Sequence, residues 1–208
     1  MADWVTISAL ATAGGTLVLA GATFVSVRSA RDSARITERA LLASIRPLLL
    51  TSRPDDPPQK VRFRDDHSTL IAPGRALGDA GEEGIYLAFG LRNAGAGIAV
   101  LDRWKVVGAS GDPPEFDFSD YVRLTRDLYI PAGDVGFWQG ALRDPDVAEF
   151  ARVRDAIAAR ENLYIDVLYG DYEGGQRTLS RFAIIPYGDD VWGSLVSRHW
   201  NVDRPDPR

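Results

Sequence analysis

Residues 5–27 read VTISALATAGGTLVLAGATFVSV, 23 positions without one charged side chain. As a helix this run reaches roughly 34 Å at ~1.5 Å per residue, against a bilayer hydrocarbon layer of about 30 Å. A buried core helix ordinarily needs a shorter uncharged run, so a transmembrane helix is expected here. A cleaved signal peptide wants a positive stretch ahead of its apolar run, and Met-Ala-Asp-Trp has none. Ala, Gly, Thr and Ser fill 14 of the 23 positions. Ala9 and Ala13, Ala11 and Gly15, and Thr12, Thr16 and Ala20 recur at helical spacing, a pattern that lets two spans approach closely. The lipid bilayer and a second copy of the span are therefore the first expected partners.

No Pro interrupts the chain from the span to Pro47, so a second helical stretch, 28–46, is expected to continue it. Arg28, Arg31, Arg35, Arg39 and Arg46 gather on one face of that helix, while Val27, Ala30, Ala34, Thr37, Leu41 and Ile45 gather on another. The arginine stripe suits contact with anionic headgroups at the membrane surface, or a rigid stalk. The apolar stripe suits pairing with a second copy. Lys and Arg are absent before the span and five Arg follow it, which predicts the N-terminus outside and the C-terminal domain in the cytoplasm. The expected location is the cell (inner) membrane, single-pass, with residues 1–4 as a short exposed segment. Beyond residue 46 the net charge is −7, the chain's −5 less the +2 of residues 1–46. An acidic domain argues against nucleic acid, whose binding rests on neutralising phosphates.

From Pro47 the pattern turns strand-like. Residues 85–92 alternate clearly, with Ile85, Leu87, Phe89 and Leu91 on one face. Strands are also expected at 48–52, 61–64, 69–71, 98–109, 121–125, 128–130, 135–142, 163–169 and 177–185, with Val100, Trp104 and Val106 inward and a kink near Asp102. Residues 73–84 read as a long loop and 192–200 as a short helix. Asp144-Pro145 reads as an N-cap followed by a first-turn Pro, opening a helix to about residue 160. The sum is a mainly β protein: an antiparallel, Ig-like β-sandwich over 47–200 with one inserted helix, then a flexible tail over 201–208.

The order of span, Arg-rich helix ending in IRPLLL, strand followed by LRNAGAGIAV, IPAGD turn and LYGDYEGGQRTLSRF hairpin resembles uncharacterised bacterial (or phage) single-span membrane proteins with a C-terminal β-sandwich. These are turn motifs, and the resemblance carries no catalytic residues.

With no cysteine, disulfides, thiolate metal sites and a Cys nucleophile are excluded. Asp65, Asp66 and His67, together with Asp189 and Asp190 near His199, are the candidate metal ligands, although no acidic cluster has the spacing of a calcium loop. Ser with His67 or His199 lacks a Gly-x-Ser-x-Gly elbow. Asp171, Tyr172 and Glu173 form a candidate binding loop at a hairpin tip. Nothing calls for a cofactor. The expected function is non-enzymatic: a membrane-anchored interaction protein presenting its domain to a protein partner. The alternatives are a tethered metal-dependent enzyme using loop carboxylates and a small membrane-perturbing oligomer.

Overall fold

A computed structural model describes residues 3–81, 84–188, 190–203 and 205. It divides into two compact units, 1–43 and 44–208. The first is α1 (Trp4–Ser44), one unbroken helix of 41 residues. None of its apolar window is buried, and by length and composition it is able to cross a membrane. The hydroxyls of Thr12, Thr16 and Thr23 each donate to the carbonyl four residues back, at 2.9, 2.8 and 2.8 Å. Those polar groups are thus met inside the helix, which makes them tolerable in an apolar medium. The helix ends before Arg46, because the residue preceding a proline is pushed out of the α region.

The second unit is mainly β. Its elements are β1 (Leu49–Thr51), β2 (Gln59–Arg62), β3 (Ser68–Ile71), β4 (Arg75–Ala80), β5 (Ile85–Asn93), β6 (Ala99–Val107), β7 (Val122–Arg123), β8 (Tyr129–Ile130), β9 (Val135–Leu142), α2 (Ala148–Ala158), β10 (Leu163–Gly170), β11 (Arg177–Tyr187) and β12 (Val191–Asn201). Among the described residues ten strands make one antiparallel sheet in the order β1-β5-β4-β12-β11-β10-β6-β7, with β8 also on β6 and β9 also on β5. β5 is its hub. One side of β5 pairs with β9 along Ile85–Arg92; the other pairs with β4 and then with β1. β2 and β3 form a separate hairpin.

The sheet curls until its ends meet. Trp104 of β6 lies edge-on to Trp138 of β9, ring centres 5.1 Å apart, and Phe89 of β5 stands 4.9 Å from Phe182 of β11. One apolar core therefore collects side chains from β1, β5, β6, β8, β9, β10, β11, β12 and α2. A second cluster, Val61, Phe63 and Ile71 with Tyr86 and Ala88, covers the other face of β5. This is why β5 is buried on both faces although its sequence alternates.

Several expectations from the sequence fail for physical reasons. Residues 75–80 are a strand, β4, and not loop. Its small, polar string lacks apolar alternation because Gly78 lies under the Trp192 ring, which leaves 3.2 Å to an added Cβ. Residues 191–201 are β12 rather than a helix, paired along β11 from Tyr187–Val191 to Thr178–Asn201. α2 starts at Ala148 with Val147 as an N-cap that offers no side-chain bond. Asp144 instead holds a preceding turn, accepting from the Asp146 N–H at 3.0 Å. Val100 is not buried, whereas Ala99, Leu101, Trp104 and Val106 are. The register against β10 skips Asp102, and such a bulge reverses which residues face in. The kink expected there is this bulge. The expected flexible tail begins too early: Val202 and Asp203 are tied to Arg177, the latter as an ion pair at 2.6 Å. Residues 204 and 206–208 of that tail, and residues 1 and 2 of the N-terminal segment, lie outside the described residues.

Candidate functional site

The curled sheet closes by side chains, not by backbone pairing. Among the described residues β9 pairs only with β5, so its other edge is open. β7 and β8 border the opposite end, on β6. Gly140 lets the seam shut: a Cβ there would sit 2.8 Å from both Trp104 and Trp138. Gly136 does the same against Ile130, at 2.9 Å.

Above this seam is a cleft of about 340 Å³. It is lined by Phe63 and Arg64, by Trp104 of β6, by residues 122–126, and by the β9 stretch Gln139–Ala141 with Arg143. Four arginines, Arg64, Arg123, Arg126 and Arg143, line it, within a unit of net negative charge. Two are engaged. Arg143 donates to Asp65 Oδ2 at 3.0 and 3.1 Å, and Arg123 lies 3.9 Å from Asp102. Arg64 and Arg126 are exposed and, among the described residues, have no acidic partner. Asp127, whose φ is +51°, follows Arg126 and accepts from Gln139 Nε2 at 3.3 Å. The other end of that amide, Gln139 Oε1, is buried without a hydrogen-bond partner among the described residues, an arrangement that costs about 1–3 kcal/mol until a donor arrives.

Asp65 also accepts from the Tyr86 hydroxyl at 2.8 Å. Burial raises its carboxyl pKa, but the hydrogen bonds from Tyr86 and Arg143 outweigh that and hold it below the ordinary value. Asp66, in the left-handed region at φ +65°, turns away to Arg62 at 2.5 Å. His67 stacks on Tyr86 at 4.2 Å, with Nε2 3.8 Å from Asp79. The three candidate ligands are thus divided among separate partners, and no group of three acidic or His residues gathers among the described residues. Asp190 is exposed, and Asp189 lies outside the described residues.

His199 Nδ1 is 2.6 Å from Ser180 Oγ, which also donates to the Tyr169 hydroxyl at 3.0 Å. That hydroxyl accepts from the Leu49 N–H at 3.2 Å. Ser180 and Tyr169 are fully buried, and burial raises the Tyr169 pKa. The network binds β12, β11, β10 and β1 together; a serine sealed in this way does not reach a substrate.

In the candidate hairpin loop Asp171 is buried and accepts from Gly175 N–H at 2.8 Å and Gln176 Nε2 at 3.2 Å, so it builds the turn. Tyr172 is exposed, 6.5 Å from the exposed Tyr129 ring, and Glu173 is exposed beside it. On α1, Arg28, Arg31, Arg35 and Arg39 are exposed. Arg46 lies past the helix end, half-buried, and donates to Asn201 and Thr178, so it belongs to the β unit and not to the stripe.

The cleft arginines were not singled out from the sequence. Arg123 and Arg126 stand three apart, but Arg64 and Arg143 come from distant segments, and only the curl of the sheet together with the packing of the β2–β3 hairpin on β5 and β9 brings the four together. Compared with protein families, curated proteins and solved structures, this chain matches none.

Proposed function

We propose that this protein is a membrane-anchored, non-enzymatic adaptor that holds its β domain at the cytoplasmic face and there binds a protein partner. The observation that carries the reading is the pairing of a long helix whose apolar stretch is wholly exposed with a β unit whose seam cleft offers cations and an open strand edge. In this reading residues 5–27 span the cell (inner) membrane, residues 1–4 lie outside, 28–46 form the basic juxtamembrane stretch and 47–200 the domain. The absence of Lys and Arg before the span and the arginines after it favour that orientation. Arg28, Arg31, Arg35 and Arg39 would then meet anionic headgroups, and the small-residue rows of the span would allow a homo-oligomer. We further propose that the curled sheet is an Ig-like β-sandwich, with β9, β5, β4 and β1 facing β12, β11, β10 and β6. The Phe89–Phe182 and Trp104–Trp138 contacts favour it. The resemblance to bacterial or phage single-span proteins with such a domain fits the same reading.

The chain's lack of cysteine makes the test simple. Asp3→Cys and Asp55→Cys are each probed in intact cells with a membrane-impermeant maleimide. Labelling of the first alone is expected. Labelling of the second, or release of the protein by alkaline carbonate, overturns the anchor or its direction. A partner is sought by affinity capture from native membranes in mild detergent; recovery of the protein alone across several growth states overturns the adaptor reading.

A further inference from the structure

Resting on that reading, we infer that the seam cleft takes an extended, acidic peptide segment of the partner, added as a strand to the free edge of β9. Three observations meet there. The Gln139–Leu142 edge of β9 pairs only with β5 among the described residues, leaving backbone donors and acceptors on its other side, the template for strand addition. Arg64 and Arg126 line the cleft along that edge without acidic partners among the described residues, in a unit whose net charge is otherwise negative. Cations kept unpaired against the prevailing charge complement carboxylates, and a guanidinium grips a carboxylate bidentately. Gln139 Oε1, buried beside the same cleft and unmet among the described residues, is an acceptor for a donor brought by the occupant. An extended segment presents alternate side chains to one face, so acidic residues at every second position would meet the arginines while the others turn away.

The probe is a fluorescein-labelled eight-residue peptide of alternating glutamate and valine, titrated into the full chain in neutral detergent and read by fluorescence anisotropy. Saturable binding is expected. It should weaken roughly tenfold or more in Arg64→Glu/Arg126→Glu, with a lysine–valine peptide, and with the same acidic peptide N-methylated at alternate residues, which keeps its charge and loses its strand-forming N–H groups. Both arginines are exposed; should the double reversal lower the melting temperature, Arg64→Gln/Arg126→Gln takes its place. Equal binding by the arginine variant overturns the site, and equal binding by the N-methylated peptide overturns strand addition. Full displacement by inorganic phosphate at the peptide's own concentration overturns peptide recognition in favour of a simple anion site. Partner capture from membranes by wild type and double variant alike sinks this inference and leaves the adaptor reading standing. Peptide binding without any captured partner does the reverse.

Discussion

Arg181 on β11 and the pair Arg64 and Arg126 at the seam carry the same guanidinium in opposite surroundings. Arg181 is sealed in the sheet beside Asp166, bonded through Nε and Nη2 to both carboxylate oxygens at 2.7 and 2.8 Å. Its Nη1 donates to the carbonyls of Ala109, Ser110 and Asp112, which fastens the loop after β6. Nε, Nη1 and Nη2 are each bonded within the chain and the side chain is fully buried, so it has nothing to offer a ligand. Arg64 and Arg126 are answered by nothing among the described residues. A buried charge must be fully paired to be tolerated, and the pairing makes it a structural tie. An exposed charge is stabilised by water at little cost and stays available. Burial, not residue type, separates the fastening from the docking point.

The largest effect should come from breaking the sealed side. Asp166→Ala strands the Arg181 charge in the sheet, with an expected loss of about 3–5 kcal/mol in urea unfolding. A loss below about 1 kcal/mol would show that water reaches Arg181 and dissolve the contrast. Next is the seam that underlies the open side. Gly140→Ala drives a methyl to 2.8 Å from two tryptophan rings, and overpacking of this kind costs about 1–3 kcal/mol. The same substitution should shift the indole fluorescence of Trp104 and Trp138, and an unchanged spectrum and midpoint would mean that the seam is looser than described.

An intermediate case is Asp56, buried against the partly exposed Arg92. The hydrogen bond from Arg92 is the main cause holding its carboxyl below the ordinary 3.8. As pH falls, the unfolded chain therefore takes up this proton first. The pair's stabilisation is complete above about pH 3.8 and is lost as pH drops through the lower folded value. Asp56→Asn should flatten the acid limb of a stability–pH curve, and an identical limb would assign that pH dependence elsewhere. The smallest effect belongs to the free arginines. Arg64→Gln/Arg126→Gln should move stability by less than about 0.5 kcal/mol, as surface changes do. A larger loss would make these residues structural and erase their difference from Arg181.

How much was readable in advance follows the same division. The strands at 85–92 and 135–142 show in the sequence because each is a short, mostly apolar run bounded by Gly, Pro and Asp turn residues, a signal that neighbouring residues carry by themselves. β4 does not show, since although it pairs with neighbouring β5, its small residues answer to the Trp192 ring over Gly78, on a strand more than a hundred residues away. Nor does β12, whose pattern at Trp192–Trp200 slips against β11 between Arg181 and Phe182 and so breaks the regular period. The hairpin tip at Tyr172 was legible as exposed, but the role of Asp171 as the brace of its own turn was not.

By itself the sequence determined what is local: an uncharged run able to form a membrane-length helix, arginines on one side of it, a β-rich remainder and one inserted helix. These depend on composition and spacing within a few turns or a few strand residues. The tertiary structure alone decided that the sheet curls on itself, that an Asp102 bulge reverses the inward face of β6, and that four arginines from three separate segments stand around one open edge. Those features arise from contacts between residues far apart in the chain, where no periodicity records which side chains will meet.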